Sequence, residues 1–211
     1  MTACNMKKDR RILFVCGHPD VAASRYQERL LHHCKDVGID HLVLANEFEE
    51  SEFSVSKMQE LLINSDRIIL SFPFYWYGFP ALMKRWFDDV FLPGFAYATG
   101  GDKLHGKEFL ICTTVGAPSH AYSAAGFNNF TMDELLRPIQ QSIQYIGGVY
   151  LPPYIIFSSL FIDARDIVDK CNSAIDHFKR TFKSKGQIYR DMIAEAERSA
   201  ISLLAQPEGA A

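Results

Sequence analysis

The sequence predicts an α/β fold in which a parallel sheet is covered by helices on both faces. Short apolar runs alternate five times with segments whose apolar residues recur at helical spacing, beginning with the run 12–16. Such alternation is typical of a parallel sheet, and an unbroken apolar run is typical of a strand buried on both faces. With 211 residues, 48% hydrophobic and 22% charged, the chain is long enough for one domain with a substantial core.

Each predicted element follows from a local signal. Gly38 ends the first helix, Thr131 and Glu134 form a capping pattern that opens a later one, and Pro138 is expected to kink that helix. The predicted strands are 12–16, 39–45, 67–71, 108–114 and 149–157, the last one started irregularly by Pro152 and Pro153. The predicted helices are 24–37, 54–64, 80–91, 131–146 and 163–182, and a further helix, 187–204, is expected beyond a break at Gly186. We expect one domain over 11–182, with 1–10 and 183–211 as terminal extensions.

Composition excludes several classes of function. The net charge is −3 without a basic run, so nucleic acid is not an expected partner. The five cysteines are odd in number and contain no C-x-x-C pair, which is typical of reduced thiols and gives no metal site. The first ten residues lack the apolar core of a signal peptide, and the longest apolar run, 72–82, is broken by proline and glycine. We therefore expect a cytoplasmic protein, either free or held at the inner face of the membrane through a partner.

Three loops follow the carboxyl ends of strands one, three and four, where open parallel sheets bind ligands. In the first, 17–26, Ser24 and Arg25 stand at the start of a helix, whose unpaired N–H groups suit a phosphate. A plain capping box between Ser24 and Gln27 explains the same residues equally well. The glycine-rich dinucleotide pattern and the phosphate-loop lysine pattern are both absent, which argues against a dinucleotide-type NAD fold or an NTPase.

The second loop, 72–80, has six aromatic residues among nine. Four of them are consecutive, so several must face outward or into a cleft, and a flat conjugated ring would stack on them. A dimer interface is the alternative, and the two interpretations are compatible. In the third loop, 113–122, Gly116 lets a ligand approach the backbone closely, and His120 and Tyr122 are candidate donors to a substrate. A His and a Tyr in a loop are also common as bystanders.

Four motifs give these loops a family resemblance. The chain resembles the flavodoxin-like NAD(P)H:quinone oxidoreductases over about 11–182, and in motif it is most similar to the ancillary subunits of glutathione-gated potassium-efflux systems. The motifs are Pro73-Phe74-Tyr75-Trp76-Tyr77, Trp86-Phe87-Asp88, Gly94-Phe95-Ala96-Tyr97 and Leu104-His105-Gly106-Lys107. The resemblance implies a doubly wound five-stranded sheet of order 2-1-3-4-5, a bound FMN or FAD, NAD(P)H as co-substrate and an active site shared across a homodimer.

The resemblance also implies roles for individual residues. The residues at the flavin phosphate would be His18, Ser24, Arg25, Tyr26 and Gln27; those along the isoalloxazine would be Pro73, Phe74, Tyr75, Trp76 and Tyr77; and Thr113, Thr114, Val115 and Gly116 would close over the ring. Tyr122 matches a family tyrosine near the hydride acceptor, and His120 belongs to a pair found in the potassium-efflux branch. Val115 replaces a common glycine, and Asn128 stands about where the mammalian-type enzymes have a catalytic histidine. The long C-terminal extension of the mammalian-type proteins is missing, which favours FMN over FAD.

The expected function is a two-electron, ping-pong reductase in which hydride passes from a nicotinamide through the flavin to a quinone or similar electrophile. Three alternatives remain. A flavodoxin-like electron carrier is disfavoured by the weak net charge and the long loop 92–106. A regulatory subunit on a potassium-efflux transporter is compatible with enzyme activity. A flavin-free interaction domain is disfavoured by the agreement of the three loops.

Overall fold

The computed structural model describes residues 10–50 and 52–204, and it divides into two compact units. The first unit extends to Lys179 and the second begins at Arg180. Within the described residues no helix is long and apolar enough to cross a membrane, and no group of three or more His, Cys, Asp or Glu side chains is placed to hold a metal ion.

The first unit is built on a parallel sheet. The strands of the described chain are β1 Ile12–Cys16, β2 Asp40–Val43, β3 Phe48–Glu49, β4 Glu52–Phe53, β5 Arg67–Pro73, β6 Glu108–Thr114, β7 Val149–Tyr150 and β8 Tyr154–Ile156. The sheet has the order β2-β1-β5-β6-β7, with β8 also paired to β6, and every one of these pairs is parallel. When β7 and β8 are counted as one interrupted fifth strand, the expected order 2-1-3-4-5 is confirmed.

Helices cover this sheet at the predicted places. Their bounds are α1 Arg25–Asp36, α2 Val55–Asn64, α3 Ala81–Val90, α4 Met132–Leu135, α5 Arg137–Tyr145 and α6 Ala164–Lys179. The second unit contains a helix of its own, α7 Lys185–Leu204. Strands β1 and β5 are buried along their whole length, as unbroken apolar runs predict. The core also holds Arg67, whose guanidinium donates to the Glu108 carboxylate at 2.7–2.8 Å and to the backbone oxygen of Phe178.

Proline residues interrupt both the fifth strand and the helix predicted at 131–146. The fifth strand breaks at Pro152 and Pro153, which have no N–H to donate to β6; pairing stops after Leu151 N donates to Phe109 O at 2.8 Å and resumes at Tyr154. The predicted helix 131–146 is two helices, α4 and α5, because Pro138 fits only the first turn of a new helix.

Two predictions about local structure were wrong. The segment 47–52, between the predicted strand 39–45 and the predicted helix 54–64, was given no regular structure, but it contributes to the short antiparallel pair of β3 and β4, in which Phe48 lies opposite Phe53. Gly186 does not break the chain before the last helix. It is the second residue of α7, which is capped at Ser184: Gln187 N donates to Ser184 Oγ at 3.2 Å.

Candidate functional site at the carboxyl ends of the strands

The three loops identified from the sequence meet at a groove of about 330 Å³ above the carboxyl ends of β1, β5 and β6. We call it the carboxyl-edge groove. Parallel strands end at the same edge of a sheet, so loops distant in sequence become neighbours there. The residues that line it are His18, Ala23, Ser24, Arg25, Tyr26, Pro73, Phe74, Tyr75, Thr114, Gly116, Ser159 and Leu160.

The N-terminus of α1 forms one end of the groove. Ser24 is the N-cap, and its hydroxyl accepts from Gln27 N at 3.3 Å. The amides of Arg25 and Tyr26, in the first turn, have no acceptor among the described residues, as is usual at a helix start. Free amides, a helix dipole and the Arg25 guanidinium together favour an anionic group at this end. Capping and anion binding, which the sequence left as alternatives, are therefore compatible here.

His18 lies beside this anion-binding end with a fixed ring orientation. Its Nδ1 accepts from Asp20 N at 3.0 Å, and its ring lies edge-on to Tyr75 with centroids 6.3 Å apart. Burial lowers the pKa of His18 from its ordinary value of 6.5, although the Asp20 carboxylate opposes that change. The imidazole is therefore neutral at pH 7, and its Nε2–H is the nitrogen that can donate to a ligand.

A strained turn forms the aromatic end of the groove. Gly78 N donates to Tyr75 O at 3.1 Å, and both residues between them, Trp76 (φ 48°) and Tyr77 (φ 63°), have left-handed backbones. This is a type I′ turn, a conformation that favours Asn and Gly rather than aromatic residues. The Trp76 side chain is 95% exposed, and the amides of Trp76 and Tyr77 have no acceptor among the described residues. Strain of this kind is characteristic of functional sites.

The third loop contributes alternate residues. Thr114 and Gly116 line the groove, whereas Thr113 and Val115 are buried, with Thr113 Oγ1 donating to Phe72 O at 2.8 Å. Successive residues of an extended chain face opposite sides, so only every second residue of 113–116 faces the groove.

Of the other candidates, some lie outside the groove. Gln27 is fully buried, and its Oε1 accepts from Ser71 Oγ at 2.9 Å and from Cys16 Sγ at 3.5 Å. Its side chain therefore links α1 to the sheet. Trp76 and Tyr77 stand at the turn, but their side chains are not among those lining the groove.

Tyr122 and His120 lie on the loop after β6, next to the aromatic turn. Tyr122 is half-buried with its ring 5.8 Å from that of Phe157, and burial raises its pKa, with a smaller contribution from Tyr77. His120 is exposed. The two loops are joined where Tyr77 Oη donates to Asn128 Oδ1 at 3.1 Å. Asn128, which stands about where the mammalian-type enzymes have a catalytic histidine, therefore holds the aromatic turn.

Sequence reasoning missed a fourth loop. Ser159 and Leu160 follow β8 and line the groove, with the Leu160 side chain 3.2 Å from where a Cβ on Gly116 would stand. Arg25 Nη2 donates to Ile162 O at 3.0 Å, which ties this loop to the anion-binding end. Applying the carboxyl-edge rule to the fifth strand as well would have found these residues.

Comparisons with known proteins test the family resemblance that the sequence motifs indicated. A family model, Flavodoxin_2, described as a flavodoxin-like fold, matches residues 10–178. An uncharacterized NAD(P)H oxidoreductase of Bacillus subtilis, YrkL, is 36% identical over 172 residues, which are 80% of this chain and 98% of YrkL. The glutathione-regulated potassium-efflux system ancillary protein KefG of Cronobacter sakazakii is 32% identical over 72% of this chain and 83% of its own. The chain therefore belongs to the flavodoxin-like family that the motifs indicated, and it is an oxidoreductase.

Solved structures agree on the fold and differ in the reaction that they are described by. An NADPH-quinone reductase from P. pentosaceus is 30% identical, with a TM-score of 0.71 over 82% of this chain and 99% of its own. A structure described as a thermophilic tryptophan halogenase from Streptomycin violaceusniger is 35% identical, with a TM-score of 0.77 over 81% of this chain and 99% of its own. A fold hosts different reactions, so the substrate has to be argued from the site.

Proposed function

We propose that this protein holds FMN in the carboxyl-edge groove and transfers hydride from NAD(P)H to a quinone-type acceptor. The observation that carries the proposal is the pairing of two unlike ends in one groove. Unbonded amides and a guanidinium lie at the start of α1, and unbonded amides and exposed aromatic rings lie at the turn 75–78. FMN has a phosphate at one end and a flat conjugated ring at the other.

The groove fits FMN better than the larger FAD. A volume of about 330 Å³ is at the small end of the range for ligand sites. The Arg25–Ile162 hydrogen bond also ties the loop after β8 to the anion-binding end, beyond which the second nucleotide of FAD would have to extend. Ser24, with the Arg25 and Tyr26 amides, would hold the phosphate, and Tyr75 would pack along the ring.

Bound flavin would supply the hydride transfer, and the chain would supply orientation and charge stabilisation. The amides of Trp76 and Tyr77 are available to donate to the pyrimidine edge of the ring, where negative charge collects on reduction. The neutral His18 adds no charge beside the phosphate. Tyr122, with its raised pKa, stays protonated at pH 7 and can donate a proton or a hydrogen bond to the acceptor.

One binding position would serve both substrates in turn, which predicts ping-pong kinetics. Oxidised nicotinamide leaves before the quinone binds, and the quinone takes up hydride and a proton to become the hydroquinone. The test is anaerobic and has two stages. NADPH should bleach the flavin spectrum of the loaded protein, and a quinone added afterwards should restore it. Initial rates measured against NADPH concentration at several fixed quinone concentrations should give parallel double-reciprocal lines. Intersecting lines would exclude the ping-pong scheme, and an unbleached flavin would exclude the reductase.

The acting form is proposed to be a homodimer that covers the aromatic side of the site. Two adjoining clefts of about 390 and 380 Å³ lie between α3 and α5 and share Phe87, Asp88 and Ser142. Exposed aromatic side chains rim them, namely Tyr77, Tyr97 and Tyr145. Apolar surface of this kind is characteristic of interfaces.

A charge inside one cleft tests the homodimer. Tyr145→Arg should lower the mass measured by sedimentation, whereas Ile63→Arg, an exposed position on α2, should leave it unchanged. Equal masses for the two variants and the wild type would show that the α3–α5 face is not an interface.

A second candidate role is a regulatory subunit of a potassium-efflux transporter, favoured by the similarity to KefG. The protein would then dock on a membrane partner while keeping its flavin. Co-purification of the tagged chain with such a transporter from membranes would support this role. A chain that turns over quinones and recovers no transporter would leave the free-standing reductase.

A further inference from the structure

The last helix, α7, has clear local stabilising interactions at its start. Ser184 and Gln187 cap its start reciprocally: Ser184 N donates to Gln187 Oε1 at 2.8 Å, and Gln187 N donates to Ser184 Oγ at 3.2 Å. Lys183 also pairs with Asp191 at 2.7 Å. The flavodoxin-like family match ends at residue 178, so this helix lies outside it.

Large apolar side chains of α7 are exposed. The exposed fractions are 47% for Ile188, 65% for Tyr189, 61% for Met192 and 43% for Ile193. From 183 to 200, every residue except the half-buried Ala194 is exposed. Helices in proteins owe most of their stability to packing of an apolar face, and helices without such packing are marginal in water. The apolar face of this helix therefore indicates a packing partner.

The apolar stripe has the spacing of a helix–helix seam. Tyr189, Ile193, Ala196 and Ala200 are separated by four, three and four residues, and so form one narrow row. Between 189 and 200 the row is ordered by size, with the large residues Tyr189 and Ile193 first and the alanines after them. When a second copy runs antiparallel, Tyr189 lies opposite Ala200 and Ile193 lies opposite Ala196, so that each layer combines a large and a small side chain. A parallel copy would place Tyr189 against itself and leave a gap at the alanines.

The charges beside the stripe agree with the same arrangement. Arg190 and Glu197 flank the row on one side, seven residues apart, which is too far for a pair within one helix. In an antiparallel pair, Arg190 of each copy lies near Glu197 of the other, and the two-fold axis makes this contact twice. An anionic membrane is a poor alternative, because the helix has three basic residues (Lys185, Arg190, Arg198) and three acidic ones (Asp191, Glu195, Glu197).

We propose that α7 is a self-association element that pairs antiparallel with α7 of a second copy of this chain. The contact consists of the Tyr189–Ala200 and Ile193–Ala196 layers, flanked by two Arg190–Glu197 ion pairs. It uses none of the residues of the α3–α5 face and does not depend on flavin.

A disulfide tests the direction of the helices. The background is the full chain carrying Cys4→Ser. In this background, the double variant Tyr189→Cys/Ala200→Cys should give a covalent dimer on mild oxidation. The two positions are about 16 Å apart along one helix, so they cannot bond within it. Tyr189→Cys alone should stay uncrosslinked, because only a parallel pair brings this position against itself. The described native thiols will not interfere, because they are buried and burial raises the pKa of each, namely Cys16, Cys34, Cys112 and Cys171. A covalent dimer from the single variant, or none from the double, would overturn the proposal.

Charge reversal provides an independent readout without cysteines. Arg190→Glu or Glu197→Arg should each weaken self-association in sedimentation about tenfold, and the two together should restore it. Arg198→Glu changes the net charge equally, but on the opposite face of the helix, and should have no effect. If the double variant is as weak as the singles, the partner is not a second α7.

Discussion

Replacing Trp76 by asparagine should make the flavin-free protein more stable and the flavin complex weaker. Trp76 holds a left-handed backbone, φ 48°, which costs an ordinary residue about 1–2 kcal/mol and asparagine less. Because its side chain is 95% exposed, Trp76→Asn removes almost no buried surface. We expect the free energy of unfolding to rise by about 1 kcal/mol, which corresponds to about 2–4 °C in Tm for a chain of this size.

The Trp76 side chain is not among those that line the groove, but it is proposed to contact bound FMN from the turn. The affinity for FMN should therefore fall about tenfold in the same variant, because an aromatic contact is worth about 1 kcal/mol or slightly more. The assays are thermal unfolding of the flavin-free protein and a fluorescence titration with FMN. Trp76→Ala is the matched control: it removes the same ring but keeps the strained backbone, so it should lose FMN affinity equally and gain no stability. A lower Tm for Trp76→Asn, or unchanged FMN affinity in both variants, would refute the reasoning that strain is stored here for ligand binding.

Three further predictions follow from buried or half-buried groups. Burial depresses the folded pKa of His18 below its ordinary 6.5, so its contribution to stability is present above pH 6.5 and is lost as the pH falls through the folded pKa. In urea unfolding, the difference in free energy of unfolding between wild type and His18→Asn should therefore grow from pH 5 to pH 7. A difference that does not change with pH would contradict this. Tyr122→Phe should slow flavin reoxidation by quinone in stopped flow and leave reduction by NADPH unchanged; an unchanged reoxidation rate would remove Tyr122 from the mechanism. Glu108→Gln leaves the buried Arg67 without its counter-charge and should cost about 3 kcal/mol in urea unfolding, and a cost below about 0.5 kcal/mol would show that the pair is not needed.

The centre of the sheet was predictable because β1, β5 and β6 are buried along most of their length. A short apolar run without alternating polar residues is typical of a strand buried on both faces. The strand predicted at 108–114 coincides with β6 at both ends. The antiparallel pair of β3 and β4 was not predictable in the same way. Its strands have two residues each, and the pairing of Phe48 with Phe53 depends on a contact that no local pattern records.

The site was predictable as a set of loops and less so as a set of side chains. The carboxyl-edge rule placed Ser24, Phe74 and Thr114 at one groove before any geometry was known. It could not say which neighbours face inward: the Gln27 side chain is buried against β1 and β5 by the rotation of the helix. Strand alternation would have separated Thr114 from Thr113.

The left-handed backbone of the aromatic turn was not predictable either, because aromatic residues disfavour it. Trp76 and Tyr77 break the local rule for a type I′ turn, and such violations concentrate where function requires them. The same limit applies to the Arg25–Ile162 contact, which joins residues far apart in the sequence.

The most direct test of the account is FMN binding to two variants of Ser24. Aspartate and asparagine both cap a helix as well as serine, so Ser24→Asp and Ser24→Asn should both fold with α1 intact. Only the aspartate places a negative charge where the phosphate is proposed to bind. In a titration followed by FMN fluorescence, the wild type and Ser24→Asn should each bind one FMN per chain and quench its fluorescence. Ser24→Asp should bind FMN at least tenfold more weakly. Equal binding by the two variants would show that the phosphate does not lie at the start of α1, and no binding by any of the three would show that the groove does not hold FMN.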